Sequence, residues 1–168
     1  MIYDEQTIIE LFERNLDQAR VLLDGLEVCS GRKHGFSGLS GWVFERTIQY
    51  CIGIELDHLN VAYEIHEQVS LGGRAKADLG IGKTAIEIKT RGLFGRNDIA
   101  RYEEYRDRAQ EKGYHRYVFL TGSESYAPYR EGITKALGED NVVFLKGQIG
   151  EWKRFIDIIA EGVKEHSA

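Results

Sequence analysis

The chain has 168 residues, enough for one domain with a core of its own and too few for two comfortable ones. Hydrophobic residues at 42% and charged residues at 29% place it in the ordinary range of soluble domains. No apolar stretch approaches the ~18–20 residues of a membrane helix, and a net charge of −5 argues against a protein that coats nucleic acid indiscriminately.

Asp4 is placed to cap a helix running to about Leu26, with Ile9, Phe12, Leu16, Ala19, Leu23 and Leu26 stepping by three and four along one face. Glycines and serines make Cys29–Gly38 a loop. Ser40 then caps a second helix from Gly41 to about Ile52, with Phe44, Ile48, Cys51 and Ile52 inward and Glu45 on the flank of that stripe. The period next changes to two. Val61–Val69, Arg74–Leu79 and Thr84–Thr90 read as strands joined by Leu71-Gly72-Gly73 and Gly80-Ile81-Gly82-Lys83, which predicts an antiparallel meander. After a loop with Gly92 and Gly95, Asn97 or Asp98 caps a helix ending at Gly113. His115–Thr121 is a strand, Tyr129–Leu137 a short helix, Val142–Leu145 a last short strand and Glu151–Val163 an amphipathic closing helix. The expected fold is α/β, a mixed central sheet with helices on its faces.

Cys29 and Cys51 form no Cys-x-x-Cys pair. They are read as buried free thiols, a disulfide being the alternative. The acidic first residues, Met1–Glu5, hold no signal-peptide core, so a cytoplasmic protein is expected. Charge is uneven: residues 74–116 carry eleven basic and seven acidic groups, +4, leaving −9 on the rest. That window reads either as a face for a polyanion or as a solvated helix laced with i,i+4 pairs.

The central hairpin carries the chemistry. With its turn centred between Ile81 and Gly82, Asp78 faces Ala85 and Lys76 faces Glu87. Asp78, Glu87 and Lys89 then share one face of the sheet, and Leu79, Ile86 and Ile88 the other. Asp78 and Glu87 become diagonal neighbours about 7–8 Å apart, with carboxylates able to converge. Two carboxylates beside an ammonium suit Mg²⁺, which takes one or two carboxylates and keeps several waters. The structural alternative is that Asp78 stabilises the turn and Glu87 pairs with Lys76. Glu67 reaches Asp78 only if the Gly72–Gly73 turn is tight, since a one-residue slip moves it to the other face.

Asp78 followed by Glu87-x-Lys89 on the neighbouring strand resembles the PD-(D/E)xK nuclease superfamily. The order of elements from Ser40 to Thr121 resembles its αβββαβ restriction-endonuclease-like core, opening on the helix with Gly41-Trp42-Val43-Phe44-Glu45. The resemblance implies metal binding by Asp78 and Glu87, assistance to the attacking water by Lys89, and completion of the site by Glu45. It implies Mg²⁺, with Mn²⁺ substituting, and hydrolysis of DNA phosphodiester bonds. Ala77 stands where the family name places proline, and the Gln-x-x-x-Tyr signature of exonuclease-like members appears only as Arg101-x-x-x-Tyr105.

Phosphate contacts are expected from Arg74, Lys76, Arg91, Arg96 and Arg101. Restriction-type cleavage of double-stranded DNA is the leading reading. A structure-selective enzyme such as a Holliday-junction resolvase or repair nuclease is the alternative, and a non-catalytic nucleic-acid-binding subunit the alternative of another class. His34 and His66 lack metal-ligand partners at useful spacing. Gly80-x-Gly82-Lys83 lacks phosphate-loop spacing, so no nucleotide cofactor is expected, and Ser37 and Ser40 lack a nucleophile elbow. Cutting both strands in one event needs two sites, which predicts a homodimer. The Ile9–Leu26 stripe and the Trp152–Phe155–Ile156–Ile159 face are the surfaces for it, unless they pack on each other within one subunit.

Overall fold

A computed structural model describes residues 1–31, 38–91, 95–122, 127–147 and 149–167. The loop reading over 32–37, with His34 and Ser37, and the loop position Gly92 lie outside the described residues. The elements run α1 (Glu5–Ser30), α2 (Leu39–His58), β1 (Ile65–Gly72), β2 (Ala75–Ile81), β3 (Thr84–Lys89), α3 (Arg96–Glu111), β4 (Arg116–Thr121), α4 (Ala127–Leu137), β5 (Val142–Phe144) and α5 (Glu151–Ser167). A 3₁₀ turn at Glu139–Asn141, which the sequence did not announce, precedes β5.

The sheet is five-stranded in the order β1-β2-β3-β4-β5. Its first three strands pair antiparallel, as a meander requires, and β3, β4 and β5 pair parallel. The fold is therefore mixed α/β. One face packs Leu79, Ile81, Ile86, Ile88, Val118 and Leu120 against residues of α1, α2 and α5. The other packs Ala77, Ala85, Tyr117 and Phe119 against α3 and α4. Because β3 and β4 are covered on both faces, Ala85–Ile88 and Tyr117–Thr121 are all buried.

Local chemistry accounts for the element ends. Asp4 caps α1 by accepting the Thr7 N–H at 2.7 Å, and Gly31, with φ of 63°, closes it one turn beyond Leu26. The second helix starts after Gly38, not Ser40, and continues to His58. The β2–β3 turn contains only Gly82 and Lys83. Gly82 has φ of 55°, and a Cβ there would lie 2.6 Å from the Gly162 carbonyl oxygen, so α5 presses on the turn where no side chain fits.

That turn corrects the expected register. Ile81 pairs with Thr84 and Gly80 with Ala85, so Asp78 does not face Ala85 and Lys76 does not face Glu87. The pairing is shifted by two residues, which keeps Asp78 on the same face as Glu87 and brings the two level. Three further expectations change. Cys51 is buried but Cys29 is exposed, and both are free. Trp152, Phe155, Ile156 and Ile159 are fully buried in their own core, and so offer no surface to a partner. In α1, Ile8, Ile9 and Leu16 are buried, whereas Leu26, 55% exposed, is not covered by the chain itself. Among the described residues no helix is long and apolar enough to cross a membrane.

Candidate active site

β2 and β3 pair from Ile81–Thr84 to Leu79–Ile86 and no further. At the next level Asp78 Oδ2 accepts the Ile88 backbone N–H at 2.7 Å, taking the place of a ladder carbonyl. The carboxylate is thereby held at the opening between the strands. Glu87 and Lys89, two residues apart on β3, project to the same side. Lys89 Nζ lies 2.5 Å from Glu87 Oε1 and 3.4 Å from Asp78 Oδ2. The structure thus brings together Asp78, Glu87 and Lys89.

Burial sets the electrostatics. Glu87 is 5% exposed. Desolvation pushes its carboxyl up to about 7 against the pull of the Lys89 ammonium, and the Asp78 charge adds to the rise. Burial works against the charge on Lys89, but the Glu87 and Asp78 carboxylates more than offset it and hold the ammonium above its ordinary range. Beneath the pair, the buried Tyr117 hydroxyl donates to Glu87 Oε2 at 3.5 Å.

Glu45 reaches the site from α2. It is half-buried, and desolvation followed by the Asp78 charge raises its pKa, while Arg46, Lys89 and the Gln68 amide pull the other way. Contact between α2 and the sheet sets its depth: a Cβ on Gly122, at the end of β4, would come within 2.7 Å of the Phe44 ring. Glu67 does not enter the site. It lies opposite Leu79 and is held by Arg46 at 2.5 Å and Gln49 at 2.9 Å.

Asp78 and Glu87 already hold one cation between them, the Lys89 ammonium. Their all-oxygen donor set fits a hard divalent ion that keeps most of its waters. Among the described residues no three or more His, Cys, Asp or Glu side chains gather around a common metal position. Glu45 stands beside the carboxylate pair, close enough to feel the Asp78 and Lys89 charges.

The basic window divides. Arg74, Lys76, Arg91 and Arg96 are exposed and carry no ion pair among the described residues. Arg101 instead pairs with Asp98 at 2.9 Å and donates to the Tyr102 hydroxyl at 3.1 Å. On α3, Arg108 pairs with Glu104 at i,i+4, as the lacing alternative expected, and Arg106 pairs with Glu103 at i,i+3. Sequence reasoning missed Gln68, Tyr102 and Tyr117. Tyr102 is buried beside Lys89, and its proximity to Arg101-x-x-x-Tyr105 was the available signal. Nothing in the sequence marked Gln68 or Tyr117.

Comparison with protein-family models, with curated proteins and with solved structures finds no significant match.

Proposed function

We propose that this protein is a metal-dependent nuclease that hydrolyses DNA phosphodiester bonds at a site of the PD-(D/E)xK kind. The observation that carries the reading is the convergence of Asp78, Glu87 and Lys89 where β2 and β3 part. Asp78 and Glu87 would hold Mg²⁺, with Mn²⁺ as a substitute. The bound ion would polarise the scissile phosphate and lower the pKa of a coordinated water.

The chain's own residues supply the rest. Lys89 orients the attacking water and offsets charge on the phosphate from the open side of the site, where its side chain is 37% exposed. Glu45 adds negative charge beside Asp78 and strengthens cation binding. Arg74, Lys76, Arg91 and Arg96 contact backbone phosphates. Arg101, half-exposed beside Asp98 and Tyr102, holds the Tyr102 hydroxyl and can also reach a phosphate.

Restriction-type cleavage of duplex DNA by a homodimer is the substrate reading. The apolar residues at the end of α1 support the dimer: Val21, Leu22, Leu26 and Val28 are 55–84% exposed. About Gly25 their spacing is nearly symmetric, Val21 and Leu22 on one side and Val28 and Cys29 on the other. In a two-fold contact centred on Gly25, copies of the same helix would set these apolar residues against one another.

The test is incubation of supercoiled plasmid and a four-way junction with Mg²⁺. Discrete linear products from plasmid are expected, and Asp78→Ala or Glu87→Ala should lower the rate at least ~100-fold with the fold intact. Symmetric junction nicks without plasmid cutting would move the substrate to branched DNA. Wild-type cleavage by either variant would remove the assigned site.

A further inference from the structure

Strand β1 departs from regular geometry at Gln68. Its φ of 50° lies in the left-handed region, which costs a residue with a side chain of order 1 kcal/mol or more. Gln68 stands opposite Asp78, between the Glu67–Leu79 and Val69–Ala77 pairs. In a regular strand the side chains of 67 and 68 leave on opposite faces. Here Glu67 reaches α2, and Gln68 reaches Asp78 on the neighbouring strand. Glu67 is clamped by Arg46 and Gln49. The Gln68 amide donates to Asp78 Oδ1 at 3.3 Å, and its dipole favours the charged form of the neighbouring Glu45 carboxyl. Strand β2 breaks its alternation at the same level, since Ala77 packs in the α3–α4 core and Leu79 in the opposite one.

A primary amide has two N–H donors and no charge. It can join two carboxylates that would otherwise repel each other, and it leaves their negative charge available to a cation. An ammonium in the same place would neutralise that charge. Backbone strain held at such a position has to be maintained by its surroundings, and the Glu67 clamp on the preceding residue supplies the restraint.

We propose that Gln68 is a positioning residue of the site, its amide setting the spacing of Glu45 and Asp78 to receive a divalent cation. This role rests on the nuclease reading above. Gln68 acts through the two acids and makes no contact with the reacting phosphate.

The experiment titrates Mn²⁺ into the full chain by calorimetry, with melting temperatures measured alongside, for wild type, Gln68→Gly and Gln68→Asn. Glycine tolerates the left-handed backbone, and asparagine enters it readily but is one methylene too short to span both acids. Both variants should melt at or above the wild-type temperature and bind Mn²⁺ about tenfold or more weakly, as expected when a group orienting a ligand is lost. Their cleavage should recover at high Mn²⁺. Wild-type Mn²⁺ affinity in Gln68→Gly would overturn the role of Gln68 alone. A melting temperature lowered in both variants would make it a structural residue and overturn the role as well. Absence of Mn²⁺ binding by the wild type would overturn the nuclease reading and this role together.

Discussion

Lys89 Nζ lies 2.5 Å from Glu87 Oε1, an ammonium and a carboxylate two residues apart on one strand. The Glu87 side chain is 7% exposed and that of Lys89 37%. Among the described residues no other cation comes this close to so deeply placed a carboxylate, and burial already opposes its charge. The pair therefore stabilises the ionised site in the absence of metal, and the ammonium occupies space beside the oxygens that a divalent ion would share.

Replacing Lys89 with methionine should separate these two effects. Lys89→Met should lose cleavage and cost about 2 kcal/mol, below the range for fully buried pairs because Lys89 is partly exposed. Added Mg²⁺ should raise its melting temperature more than that of the wild type. A variant as stable as wild type, with and without Mg²⁺, would show that the pair contributes nothing.

The Arg46–Glu67 contact predicts a pH dependence. The hydrogen bond from Arg46, then that from Gln49, lowers the Glu67 carboxyl from 4.5 to about 2. A carboxyl whose pKa is lower in the folded state contributes stability above its unfolded value, and that stability is lost as pH falls. The contribution of Glu67 should be complete above pH 4.5 and disappear towards pH 2. Thermal melts across that interval should show a shallower acid decline for Glu67→Gln than for wild type. Parallel declines would rule out the contact in solution.

Glu55 predicts a stability effect away from the site. It is fully buried and accepts the Ile2 N–H at 2.9 Å, the Tyr3 N–H at 2.7 Å and the Trp152 indole N–H at 3.4 Å. It thereby ties the start of the chain and α5 to α2. Glu55→Leu leaves those donors without their acceptor and should cost about 3 kcal/mol, roughly a 10 °C fall in Tm. Chemical denaturation gives the number directly. A loss below about 1 kcal/mol would mean that water replaces the carboxylate at little cost.

Light scattering at micromolar concentration should give about 38 kDa, twice the 19.1 kDa chain mass. Because Leu22 and Leu26 are 71% and 55% exposed, Leu22→Glu and Leu26→Glu should fold normally and scatter as monomers. A monomer mass for the wild type, with double-strand cleavage undiminished, would remove the dimer.

The sequence by itself determined the elements and their faces. Asp4 at the head of a 3–4 stripe specified α1, because a side-chain oxygen satisfies a free N–H there and the stripe must be buried. The alternating pattern of Arg74–Leu79 and Thr84–Thr90, separated by glycines, specified the meander and placed Glu87 and Lys89 together, because strand side chains repeat every two residues. These are local rules, and local residues are enough to state them.

Tertiary structure decided what depended on distant partners. The β2–β3 turn closes on Gly82 and Lys83, where Gly162 of α5, eighty positions later in the chain, leaves no room for a side chain at 82. Glu55 became a buried acceptor because residues 2, 3 and 152 meet at it, a convergence that no spacing encodes. Trp152 and Phe155 disappeared into the core while Leu22 and Leu26 stayed in solvent, though all lie on apolar stripes. A stripe specifies that a face seeks cover, and only the packed chain decides which face receives it. Gln68 is the sharpest case. A glutamine in a strand has no mark of a left-handed backbone, and its conformation follows from Glu67 being held by α2 while Asp78 stands opposite.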